Sequence, residues 1–97
     1  MTDIAPNDRD MVKGLVRVVC PDAVIYIFGS RAKNGQARKS SDLDLVLREA
    51  QKLPFESVND IKALMKASRL PFSVDVVDWH SLSAGFQAEI QDDLVEL

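Results

Sequence analysis

Hydrophobic spacing changes character several times along the chain. Met11, Leu15 and Val18 recur at helical intervals, with Val12, Val16 and Val19 widening the stripe. Asn7 or Asp8 is placed to cap this first helix, Gly14 weakens it without breaking it, and Pro21-Asp22 ends it. Residues 23–28, Ala-Val-Ile-Tyr-Ile-Phe, form an unbroken apolar run of β-branched and aromatic side chains. Such a run predicts a strand covered on both faces and therefore central in its sheet. Residues 42–48 alternate instead: Asp42 and Asp44 fall to one side, Leu43, Leu45 and Leu47 to the other, giving a second strand. A helix follows, capped near Glu56 or Ser57, with Val58, Ile61, Leu64 and Met65 on one side and Pro71 as its stop. Residues 72–79 predict a third strand, in which Phe72, Val74, Val76 and Asp78 share one face while Ser73, Asp75 and Val77 share the other. Ser81 or Ser83 then caps a C-terminal helix with Phe86, Ile90 and Leu94 at i, i+4 and i+8. The order helix, strand, strand, helix, strand, helix predicts an α/β (α+β) domain, a small mixed β-sheet flanked by helices. With no repeat and no boundary visible, residues 1–97 read as a single domain.

Composition narrows the function classes. A net charge of −3 argues against general nucleic-acid binding through an overall positive field. Yet Arg31, Lys33, Arg38 and Lys39 share one loop with no acid among them, which can steer phosphates as well as face solvent. The single cysteine, Cys20, allows neither an internal disulfide nor a thiolate metal cluster. No apolar run approaches the ~20 residues needed to cross a membrane, and Met1-Thr-Asp-Ile-Ala-Pro lacks the basic and apolar regions of a signal peptide, so no membrane role and a cytoplasmic location are expected.

The chemistry concentrates where the first strand ends and the second begins. Phe28-Gly29-Ser30-Arg31 closes one strand, and after eleven further residues from Ser30 the sequence Asp42-Leu43-Asp44 opens the next. Asp42 and Asp44 stand roughly 6–7 Å apart on one face. An Asp within an apolar strand is costly unless paired or bound to metal, and Asp75, between Val74 and Val76, is a second such anomaly. Two carboxylates beside a Gly-Ser turn suit a nucleoside triphosphate held through Mg²⁺. A third would share a metal and take the proton of an acceptor hydroxyl. Asp75 is preferred for that role over Asp78, which lies nearer the strand end; parity alone leaves the choice open until the face meeting Asp42 is known. Gly29 permits close backbone approach, while the Ser30 hydroxyl, the amides that follow it and the Arg31 charge offer phosphate contacts, with a short helix expected over residues 30–33. Tyr26 and the Phe86–Ile90 stripe read as packing, part of the latter as a partner surface, and His80 as a surface or helix-start residue.

Gly29-Ser30-Arg31-Ala32-Lys33, Ser41-Asp42-Leu43-Asp44-Leu45 and Val74-Asp75-Val76-Val77 together resemble the minimal nucleotidyltransferase (MNT) family of the polymerase β-like superfamily. One departure is Asn34, which intervenes before Gly35 where many relatives carry glycine directly; asparagine tolerates the left-handed backbone such a turn needs. The resemblance implies the nucleotidyltransferase fold, metal binding and catalysis by Asp42, Asp44 and Asp75, phosphate contacts from Gly29 and Ser30, and Mg²⁺ with ATP as cofactor and donor. It further implies AMP transfer to a hydroxyl on a small all-helical partner of HEPN or substrate-binding type, in an antitoxin-like role and a hetero-oligomer. The alternative implied is a binding module that neutralises or scaffolds such a partner with little or no catalysis.

Overall fold

A computed structural model describes residues 4–29 and 42–97. Its elements run α1 (Pro6–Val19), β1 (Val24–Phe28), β2 (Leu43–Arg48), α2 (Phe55–Ala67), β3 (Val74–Asp78), α3 (Ala84–Ile90) and β4 (Val95–Glu96), with one-turn 3₁₀ helices at Trp79–Ser81 and Gln91–Asp93. The four strands lie in the order β3-β2-β1-β4. β1 pairs antiparallel with β2 and with β4, while β2 and β3 are parallel. Parallel neighbours cannot be joined by a tight turn, and α2 supplies the crossover. The architecture is the mixed sheet with flanking helices that the hydrophobic pattern predicts, and β1 is central as expected.

The sheet has two unequal faces. On one, Ile25, Ile27, Leu43, Leu45, Leu47 and Val76 pack under α1 and α2, whose Val12, Val16, Ile61 and Met65 are buried against them. On the other, Val46, Trp79 and Ile90 form a smaller cluster with Tyr26, Phe28, Val77, Leu82 and Leu94. Among the described residues that second face is covered in part by α3 and its flanks, and at the ends of β2 and β3 Asp42 and Asp75 are exposed.

Several boundaries differ from expectation. α1 starts before Asn7, with Ala5 at the N-cap position and no side-chain cap, because Pro6 in the first turn presets the helical φ and lacks only an N–H that the helix would leave unpaired. α2 likewise follows Pro54 rather than a cap at Glu56 or Ser57 and ends at Ala67, short of Pro71. Ser83 does cap α3, accepting a hydrogen bond from the Phe86 amide at 3.2 Å. α3 stops at Ile90, however, and Leu94 lies beyond it. The chain then forms β4 on the free side of β1, with the Leu97 amide donating to the Ile25 carbonyl at 2.9 Å.

Asp78 turns out to be a structural acid. It is 3% exposed and belongs to the helix-covered face by strand parity. Its carboxylate accepts hydrogen bonds from the Leu53 amide at 3.0 Å and the His80 amide at 3.4 Å, tying the lead into α2 to the end of β3. Asp78→Ala strands the buried Leu53 amide and is expected to cost about 2–3 kcal/mol in urea unfolding. Asp78→Asn, which keeps an acceptor oxygen, is expected to recover part of that loss.

Candidate active site

β2 and β3 bring the acids together through register. In the parallel ladder Asp44 pairs with Asp75, and on the other side of β2 Phe28 pairs with Asp44. Paired residues in adjacent strands point to the same face about 4.8 Å apart. Asp75 therefore stands beside Asp44 on the thinly covered face, Asp42 lies two residues before Asp44, just ahead of β2 and close enough for its charge to act on it, and Asp78 is on the reverse. Of the two acids on β3, it is Asp75 that shares the face of Asp44.

Electrostatics carries the same geometry. The Asp44 carboxyl is held above its ordinary range first by burial, then by the negative charges of Asp75 and Asp42. Gly29 closes the arrangement: its φ is +90°, and a Cβ built on it would lie 2.9 Å from Asp44 Oδ2. The backbone at the end of β1 and the Asp44 carboxylate thus touch in a space that only glycine leaves open. Ser30 and Arg31, the expected helix over 30–33 and the turn at Asn34-Gly35 lie outside the described residues.

The donor set is made of hard carboxylate oxygens, which fits Mg²⁺ and fits poorly a softer metal that prefers nitrogen or sulfur. Among the described residues no three Asp, Glu, His or Cys side chains are already drawn around one ion. Like charges without a counter-ion settle apart, and Mg²⁺ is commonly held by one or two carboxylates, with substrate phosphates and water completing its shell. The fit therefore asks only that Asp44 and a neighbour approach a shared ion.

Beside Asp44 and Asp75 lies a recess of about 240 Å³ walled by Phe28, Val46, Val77, Leu82, Phe86 and Ile90. Phe28 and Phe86 meet edge to face, with centroids 6.4 Å apart, and Phe86 remains 41% exposed at the rim. Ile90 is buried in the core, as the packing reading of the Phe86–Ile90 stripe expects, while Phe86 stays at the surface; their i, i+4 spacing puts both on one side of α3, but nothing local shows that this side overhangs the acids. Tyr26 is half-buried in the same apolar cluster, as expected. His80 is exposed, its Nε2 lying 2.7 Å from the Glu49 carbonyl.

A mixed sheet that presents paired strand acids beside a glycine turn has the chemistry to handle a metal-bound phosphate group. Residues 22–97 match the family described as polymerase beta, nucleotidyltransferase. The chain belongs to this family, in its minimal MNT branch, and is a nucleotidyltransferase. A probable protein adenylyltransferase, MntA of Haemophilus influenzae, is 36% identical over 89 residues, spanning 92% of this chain and 77% of that protein. A toxin–antitoxin crystal structure with AMP-PNP superposes with a TM-score of 0.72 at 27% identity, covering 93% of this chain and 71% of the other. The MNT antitoxin complex with tri-AMPylated HEPN toxin of Shewanella oneidensis gives a TM-score of 0.65 at 25% identity, covering 93% and 67%. No helix among the described residues is long and apolar enough to cross a membrane.

Proposed function

We propose that the domain transfers AMP from ATP, in the presence of Mg²⁺, to a hydroxyl group on a HEPN-type helical partner with which it forms a hetero-oligomer in the cytoplasm. The observation that carries this reading is the register placing Asp44 beside Asp75 on the open face, with Gly29 against the Asp44 carboxylate. The relatives support the donor and acceptor classes: one is a probable protein adenylyltransferase, one was crystallised with AMP-PNP, and one is bound to an AMPylated HEPN toxin.

Asp42 and Asp44 would hold the metal with a share from Asp75. The ion would supply neutralisation of the triphosphate charge. Gly29 lets the backbone approach the phosphates, and Ser30 with Arg31 is assigned the β- and γ-phosphate oxygens. Asp75, more exposed than its ladder partner Asp44, accepts the proton of the acceptor hydroxyl. The acceptor oxygen forms a bond to the α-phosphorus as the bond from that phosphorus to the bridging oxygen breaks, and pyrophosphate leaves.

The test is incubation of the chain with labelled ATP, Mg²⁺ and a HEPN-type helical partner. Label on the partner is expected, and Asp75→Asn is expected to slow it by about 10²–10⁴-fold. Partner neutralisation with no label in the wild type would instead support the docking module.

A further inference from the structure

The outer flank of β3 combines three features that the transfer chemistry does not use. First, β3 is an edge strand with β2 as its only ladder partner among the described residues. The Leu43 amide donates to the Ser73 carbonyl at 2.8 Å, so in the parallel ladder residues 73, 75 and 77 turn their backbone groups toward β2. Val74 and Val76 then turn theirs outward. Second, two recesses of about 580 and 310 Å³ run end to end along this edge and share Lys62. The second is lined by the consecutive residues Val76, Val77 and Asp78, whose side chains alternate faces, so it opens on the strand's edge. Third, the facing side of α2 presents Phe55, Val58, Lys62 and Met65 at i, i+3, i+7 and i+10, with Lys66 beside them. Phe55 is 77% exposed. Lys52, Lys62 and Lys66 outnumber the one acid in the lining, the buried and hydrogen-bonded Asp78, so the trough is net positive in a chain whose net charge is −3.

We infer that this trough binds an extended acidic segment of the acceptor protein, added as a strand to the outer edge of β3, and that this pairing delivers the acceptor hydroxyl. The inference rests on the transfer reading above. A strand added at the usual spacing of about 4.8 Å sets one residue opposite Asp75 with its side chain on the open face, where a hydroxyl stands next to the proposed base. Its immediate neighbours in the segment point to the opposite face, toward Lys62 and Lys66. The recognised pattern is therefore a hydroxyl residue flanked on both sides by Asp or Glu, with an apolar residue further along for Phe55. The oxygen of that hydroxyl bonds to the α-phosphorus of ATP, its proton passes to Asp75, and pyrophosphate leaves.

Synthetic peptides of about ten residues test this. Each carries a central serine, threonine or tyrosine flanked by glutamates or, in the control set, by lysines. The full chain should bind a glutamate-flanked peptide at least tenfold tighter by fluorescence anisotropy, and labelled ATP should mark its central hydroxyl. Lys62→Glu with Lys66→Glu, both at exposed positions, should reverse the charge preference. Val74→Pro removes an outward amide at a site where an edge strand tolerates proline; it should weaken binding at least tenfold while leaving the thermal shift with Mg²⁺ and ATP intact. If that variant fails to fold, the charge reversal decides. Acidic peptide bound but never labelled, while the helical partner is labelled, would overturn delivery of the hydroxyl by this edge; no label on either would remove the transfer reading. Label without charge preference would remove the docking site and leave the transfer reading standing. Tighter binding of an oligonucleotide than of the acidic peptide, or a dimer of the chain that Val74→Pro dissolves, would overturn the inference.

Discussion

Asp44→Asn is expected to stabilise the free domain while removing its activity. The Asp44 carboxyl is raised above its ordinary range by burial and by the charges of Asp75 and Asp42. A carboxyl raised on folding favours the folded state while protonated, and that contribution is lost as pH rises through the raised value. At neutral pH the ionised group works against the fold, and the amide of Asn relieves both burial and repulsion. The melting temperature without metal should rise by about 2–6 °C at pH 7. The gain should shrink toward zero as pH falls below the ordinary aspartate range near ~3.9, where the wild-type carboxyl is itself protonated. Millimolar Mg²⁺ with ATP should raise the melting point of the wild type and not of the variant. Transfer should fall by about 10³-fold. A variant less stable than the wild type in metal-free buffer would show that Asp44 is held by favourable partners and is not part of a repelling cluster.

That repulsion was legible in the sequence because strand parity is a strong local rule. The alternation from Asp42 to Leu47 fixed which residues share a face before any register was known. Parity also split Asp75 from Asp78. It could not say which of the two met Asp44, since that depends on how far β3 slides along β2, and the Asp44–Asp75 pairing is a long-range fact. The C-terminal strand was hidden by a coincidence of spacing: Leu94 falls at i+8 from Phe86 and reads as a further helical turn. Asp92 and Asp93 held the contrary signal, because two acids at a helix C-terminus oppose its dipole. α3 ends before them. The helix starts were misplaced because Pro6 presets the first turn of α1 and Pro54 takes the N-cap position of α2, so neither start uses a side chain of Asn7, Asp8, Glu56 or Ser57 as its cap. Strand alternation put Asp42 and Asp44 on one face, whereas the placement of Asp75 beside Asp44 waited on the register of β3 against β2.

Gly29→Ala should damage both stability and catalysis, and the two effects can be separated. The φ of +90° costs a residue with a Cβ about 1–2 kcal/mol. The added methyl also meets Asp44 Oδ2 at 2.9 Å, a distance that forces the carboxylate to move. A melting point lower by about 5–10 °C is expected from strain and clash together. A displaced carboxylate should lower transfer by about 10²-fold, since misplacement by about 1 Å is enough for such a loss. Combining Gly29→Ala with Asp44→Ala removes the clash and leaves the backbone strain. The alanine at position 29 should therefore cost less in that background than in the wild type, with a coupling of about 0.5–3 kcal/mol. Equal costs in the two backgrounds would mean that the glycine serves only the turn. A nonzero coupling of that sign would tie the bend at the end of β1 to the position of the Asp44 carboxylate on β2.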